Sequence, residues 1–212
     1  MRTEESPLPK LEARFRRFLT ELDRSEGCVA GHSATVCKLA LTMARALDVA
    51  VGELPVVALG ALMHDIGKIF VGERLLSKAT PLTDAEFEML RLHPLLGEAL
   101  LAPTVSNATV LGIVRWHHER WDGAGYPDRL GGPAIPLGAR IVGTADAFTA
   151  MREARAYRQA LGLQEAIDEL QRLSGRQFDG ACVDALVDSL GFPDARNPNG
   201  GIRRQIAVSS AR

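Results

Sequence analysis

The 212 residues, 46% hydrophobic and 24% charged, suffice for one domain that buries a full core, with short extensions. A formal net charge of -1 supplies no global positive field, which argues against a nucleic-acid polymer or a membrane surface as partner. Any anionic ligand must then be held by a local cluster of cations. Three cysteines without a CxxC pair (Cys28, Cys37, Cys182), a start too polar for a signal peptide and no apolar run long enough to span a bilayer predict a cytoplasmic, bacterial-type domain.

In chain order the expected elements are helices, and the fold class is all-α. Leu11 to about Arg24 is charged and amphipathic. After Gly31 the apolar positions Val36, Leu39, Ala40, Met43 and Leu47 form a helical stripe. Leu54 to Ile66 is apolar on every side, as suits a helix at the centre of a bundle, with Pro55 in its first turn and Gly67 as its stop. Thr83 and Glu86 form a capping-box signature, opening a helix that ends at His93, where Pro94 interrupts it. Further helices are predicted over 106–118, 136–151, 163–173 and 180–190, the last capped by Asp179. No alternation of apolar and polar residues is long enough for a strand. The predicted layout is an N-terminal helix and linker over 1–27, a domain over 28–190 and a loosely ordered tail over 191–212.

The five histidines fall at chosen places. His32 lies four residues before Val36 on the inward stripe. His64 and Asp65 end the most buried helix, His93 ends another, and His117 and His118 end a third. Asp146 sits inside LGARIVGTADAFTAM, where an ionised carboxylate is expensive unless paired or coordinated. One buried histidine is usually a satisfied core residue, and one buried aspartate usually a cap or an ion-pair partner. Five imidazoles and two carboxylates without matching cations are harder to bury, and a divalent metal cluster satisfies them together. Adjacent helical residues point about 100° apart, so His64-Asp65 and His117-His118 can each share a target only where a helix terminates or two ions lie close together.

HDIGK at 64–68, with an upstream histidine and a downstream aspartate, resembles the HD superfamily of metal-dependent phosphohydrolases. HHERWDGAGYP at 117–127 resembles the HHExxDGxGYP signature of its HD-GYP branch. The likeness extends through LTDAEFEMLRLHP, through Asp146 followed nine residues later by Arg155-Ala-Tyr-Arg158, and through GRQFDGACV. It implies an HD-type helical bundle with a dinuclear metal site at its centre, and a phosphodiesterase hydrolysing cyclic di-GMP to pGpG, a product that many members of the family carry on to GMP. One ion would take His32, His64, Asp65 and Asp146. The second would take Asp65, His93, His117 and His118, with Asp65 bridging. The family implies iron or manganese, while the ligand types alone leave zinc and nickel open. Two ions roughly 3.5–4 Å apart can share a hydroxide and hold a phosphodiester in line for its attack.

Lys68, three residues after Asp65, can reach a phosphate oxygen, although a lysine is ordinarily solvated. Arg155 and Arg158 match the family's phosphate-contacting RPYR element; without that match they would read as solvent-facing. Tyr126, on a loop whose Gly123 and Gly125 supply unusual backbone angles, could stack on a base or approach a phosphate. The implied partners are the cyclic dinucleotide and, through the GYP loop, diguanylate cyclases of the GGDEF type; a homodimer is left open. Cys28 replaces a glutamate that some relatives use for a third metal, Thr149 replaces an aspartate, and Ala156 replaces the proline of RPYR. Thr149 keeps open a different substrate, such as 3',3'-cGAMP. A non-catalytic receptor module is the remaining alternative.

Overall fold

The computed structural model describes residues 31–154 and 159–192. The helix expected over Leu11–Arg24, Cys28, Arg155, Arg158 and the tail from 193 onward lie outside the described residues. Nine α-helices occur among those described: α1 (His32–Ala46), α2 (Leu54–Met63), α3 (Glu73–Leu76), α4 (Asp84–Leu90), α5 (His93–Leu101), α6 (Ala108–Trp116), α7 (Leu137–Arg152), α8 (Leu163–Leu173) and α9 (Gly180–Ser189). The described residues hold no strand, only an isolated bridge between Ser174 and Phe178. None of the described helices is long and apolar enough to cross a membrane.

The stripe of α1 buries Val36, Ala40 and Met43 completely and leaves Lys38, Thr42 and Arg45 outside. It packs on α2, α7 and α9, while α6 packs against α2, α5 and α7. Met43, Met63, Ile113, Ile141, Leu170 and Leu186 fill the space between these helices at 1% exposure or less. Each contributes roughly 1.5–3 kcal/mol of burial. Helix α2 enters with Pro in its first turn, as its sequence predicts, and burial is continuous from Gly60 to Gly67.

Two helix boundaries differ from the sequence expectation. Helix α2 stops at Met63, not Ile66, and His64 is its C-cap; the chain then enters a 3-10 turn over Ile66–Phe70. Gly67 is therefore not a helix stop. It lies inside that turn where the backbone presses on α5, and a Cβ would sit 1.9 Å from the His93 carbonyl oxygen and 2.6 Å from the Gly97 nitrogen. His93 does not end a helix but begins one. The break falls at Arg91–Leu92, because Pro94 lacks an N–H and is accommodated in the first turn of α5, where that donor would have no partner. The capping box of Thr83 and Glu86 and the Asp179 cap of α9 are both present. The effect of this architecture is to bring the start of α1, the end of α2, the start of α5, the end of α6 and the middle of α7 to one place.

Candidate metal centre

All five histidines and both aspartates predicted as ligands converge there. Neighbouring imidazole centroids are 5.8 Å apart for His32–His64, 5.1 Å for His64–His117, 5.4 Å for His93–His117 and 5.0 Å for His93–His118. Ligand atoms of Asp65, His93, His117 and His118 lie within 4.8 Å of one another, and so do those of His32, His64 and Asp65. Asp146 Oδ1 joins the second group, 3.1 Å from His32 Nε2 and 3.8 Å from His64 Nε2. Asp65 belongs to both groups. The adjacent pairs manage this as their positions require: His64 and His117 are C-caps, so each following residue has left the helical direction.

Helix ends also orient the rings. The last carbonyls of a helix have no intrahelical partner. His64 Nδ1 donates to Ala61 O at 2.7 Å, His93 Nδ1 to Leu90 O at 2.7 Å and His117 Nδ1 to Val114 O at 2.8 Å. A carbonyl only accepts, so each neutral ring carries its proton on Nδ1 and turns the Nε2 lone pair to the centre. There the lone pairs meet other acceptors. His93 Nε2 is 3.3 Å from His117 Nε2 and 3.2 Å from Asp65 Oδ1, while His64 Nε2 is 3.2 Å from Asp65 Oδ2. His64 Nε2 and Asp65 Oδ1 are buried with no hydrogen bond. Acceptors that face one another in a buried space require cations or protons between them.

The titration tendencies separate the two options. Burial holds the His117 pKa well below its ordinary value and the neighbouring His118 deepens the effect; burial and His93 push His118 down to about 3. Both are neutral near pH 7, the form that binds a metal. On the acid-rich side, burial opposes the charge, but hydrogen bonds to Asp146 and Glu153 carry His32 up to about 10, and Asp65 raises His64. Asp65 and Asp146 are both depressed against the cost of burial, Asp65 through His64 and Lys68, Asp146 through His32 and His64. The set thus comprises ionised carboxylates, neutral imidazoles at His117 and His118, and, at His32 and His64, protons in the place a divalent cation would take.

The centre opens into a cleft of about 290 Å³. Lys68 lines it with its Nζ 2.6 Å from Asp65 Oδ2. Tyr126 lines it too: its ring stacks on His118 at 4.9 Å and 27°, and the Arg91 guanidinium lies over it at 4.7 Å. The loop bearing Tyr126 is tied down on several sides. Asp128 accepts from Arg115 and from Trp116 Nε1, Glu119 accepts from the Asp128 N–H, and Trp121 and Asp122 donate backbone N–H groups to Gln177 and Arg176. Gly123 adopts φ 75°, but Gly125 serves a different need from the one expected: a Cβ there would lie 2.4 Å from the Arg120 nitrogen. Thr149 is buried, its hydroxyl donating to Ala145 O within α7.

Two neighbours of the centre were not singled out from sequence. Arg91 is one. Glu153 is the other, with Oε2 2.9 Å from His32 Nδ1. Its seven-residue spacing from Asp146, two helical turns along one face, was the available signal.

The profile of the HD domain family matches residues 18–182. The chain belongs to the HD domain family. Within it, the HHERWDGAGYP run is that of the HD-GYP branch. The HD domain is 37% identical over 184 residues to a cyclic di-GMP phosphodiesterase response regulator of Xanthomonas campestris pv. campestris, covering 84% of this chain and 49% of that protein. It is 32% identical to a 3'3'-cGAMP-specific phosphodiesterase of Vibrio cholerae, covering 87% of this chain and 40% of that one. Among solved structures it is similar to an HDG"Y"P protein from Bdellovibrio bacteriovorus, with a TM-score of 0.63 and 22% identity over 76% of this chain and 51% of the other. That likeness speaks for the fold. The chain spans about half the length, or less, of these curated relatives.

Proposed function

We propose that this HD domain is a metal-dependent phosphodiesterase that hydrolyses cyclic di-GMP to pGpG in the cytoplasm, with the second step to GMP left open. The observation that carries the reading is the set of buried acceptors, Asp65 Oδ1 and the Nε2 atoms of His64, His93 and His117, turned toward one another. Resemblance supports the substrate, through the 37% identity to a protein named for that activity.

His32, His64, Asp65 and Asp146 would hold one divalent ion and Asp65, His93, His117 and His118 a second, with iron or manganese expected and zinc or nickel compatible with the donors. When bound, such a pair supplies charge that lowers the pKa of water and stabilises the oxygen leaving phosphorus. The chain's own groups do the rest. Asp65 spans the two donor groups and sets their separation. Lys68, on the cleft wall beside Asp65, offsets its charge and is placed to contact a phosphate oxygen. Tyr126, in contact with both His118 and the Arg91 guanidinium, would support His118 and line the substrate cleft. Arg155 and Arg158 are assigned to the substrate phosphates on the resemblance alone. Docking of GGDEF-type cyclases on the GYP loop, and dimerisation, belong to the same proposal on the same footing.

A second substrate, 3',3'-cGAMP, is kept by the similarity to the V. cholerae protein named for it. Thr149 does not favour it, because its hydroxyl is spent inside α7. The test is product chromatography of metal-loaded protein given each cyclic dinucleotide separately. Cyclic di-GMP should yield pGpG, and His64→Ala should abolish the product. Turnover confined to the mixed dinucleotide would move the substrate assignment, and inertness toward both would remove the enzymatic reading.

A further inference from the structure

We infer that Glu153 is a positioning residue for the metal centre, holding the His32 ring in the orientation and tautomer that present Nε2 to an ion. The inference rests on the proposed metal reading and adds to it a residue outside the ligand set.

His32 is anchored differently from the other anchored histidines. His64, His93 and His117 each have a helix-terminal carbonyl three residues earlier to accept from Nδ1. His32 is the first residue of α1, so its own helix supplies no carbonyl three residues earlier. Its Nδ1 instead meets the carboxylate of Glu153, the C-cap residue of α7, at 2.9 Å from Oε2 and 3.1 Å from Oε1. Its Nε2 lies 3.1 Å from Asp146 Oδ1 on the opposite edge of the ring. The ring is thus held between two carboxylates, one facing the centre and one behind it. His32 is 6% exposed and the Glu153 side chain 13%, so water competes poorly for the Nδ1 proton.

A carboxylate that accepts from Nδ1–H keeps that proton in place when an ion displaces the one between Nε2 and Asp146, and makes the imidazole a stronger donor to a metal. It fixes the ring against rotation about the bond to Cβ, which a lone contact to Asp146 would not do. Asp146 and Glu153 are seven residues apart on α7, so one helix supplies both the group facing the centre and the support behind its partner. The device joins the start of α1 to the end of α7 across 121 residues of sequence.

Competitive titration with Zn²⁺, a redox-inert probe, against a chromophoric chelator tests this. Wild-type protein should take up two ions tightly. Glu153→Ala should retain one tight ion, at Asp65, His93, His117 and His118, and bind the other about 10- to 100-fold more weakly. Glu153→Gln, whose amide oxygen still accepts from Nδ1–H, should recover most of the loss. With Zn²⁺ bound, the His32 Nδ1–H should give a slowly exchanging ¹H–¹⁵N resonance in wild type and Glu153→Gln, and should be lost to solvent exchange in Glu153→Ala. The retained second ion reports that the variant is folded. Equal affinities for both ions in Glu153→Ala, or a Glu153→Gln protein as weak as Glu153→Ala, would overturn the inference while leaving the metal reading intact. Wild-type protein that binds no Zn²⁺ would remove both.

Discussion

At one end of the cleft, Asp65, His93 and His117 turn acceptor atoms toward one another, and two of the buried atoms there make no hydrogen bond. At the other end, Arg140 pairs with Asp179 and donates to the Ile135 carbonyl, Asp179 caps α9, Arg120 joins Gln177 to Asp122, and Trp121 lies against the Arg140 guanidinium. Both sets line the cleft, but among the described residues the groups of the second pair with one another, while the first includes buried acceptors without a hydrogen bond; Glu119 Oε2, also on the cleft wall, is a further buried atom without one. Unsatisfied buried acceptors mark the place where a ligand completes the structure; a closed hydrogen-bond network marks scaffold.

The largest effect should come from Asp65→Ala, which strips a donor from both groups at once. It should lose both ions and reduce turnover by several orders of magnitude, measured by metal analysis and product chromatography. Gly67→Ala should follow. The added Cβ meets the His93 and Gly97 backbones, which cannot rotate away, so a loss of roughly 1–3 kcal/mol or more is expected in denaturant unfolding, together with weaker metal uptake as His93 shifts.

Arg140→Ala sharpens the comparison from the other end. It should lower stability by about 1–3 kcal/mol, because the buried Asp179 carboxylate loses its partner, and leave the metal stoichiometry at the wild-type value. Unchanged stability with weakened substrate affinity would break the distinction and make that end a recognition surface.

Acid should act on the loop beside the centre. The hydrogen bonds from Arg115, with that from Trp116, hold Asp128 down at about 2, below its ordinary value of 3.8. Its contribution is complete above about pH 4 and disappears as pH falls toward about 2. Since the Asp128 side chain is 34% exposed, the amount is below about 1 kcal/mol, visible as a flatter acid limb of the melting curve in Asp128→Asn. Thr83→Ala, which opens the capping box far from the cleft, should cost about 1 kcal/mol with no change in metal uptake.

Much of this was legible in the residues. A period-3.6 stripe marked α1, the Asp179 cap marked α9, and the crowding of His and Asp at predicted helix ends pointed to the centre. What failed was local. The uniformly apolar run from Leu54 gave no pattern to show that the helix stops at Met63, and Pro94 reads equally as a helix breaker or as a first-turn residue. Glu153 escaped because its partner lies across the whole bundle, and a glutamate after a helix ordinarily faces water. The Arg91 guanidinium over Tyr126 joins the end of α4 to the 117–127 run, a contact that spacing along one chain does not encode.

The central claim is that two ions share Asp65, and anomalous diffraction from crystals of the metal-loaded protein tests it most directly. The account predicts two peaks flanking the Asp65 carboxylate, one against His32, His64 and Asp146 and the other against His93, His117 and His118. A single peak, or density that leaves Asp65 bonded only to Lys68, would contradict it.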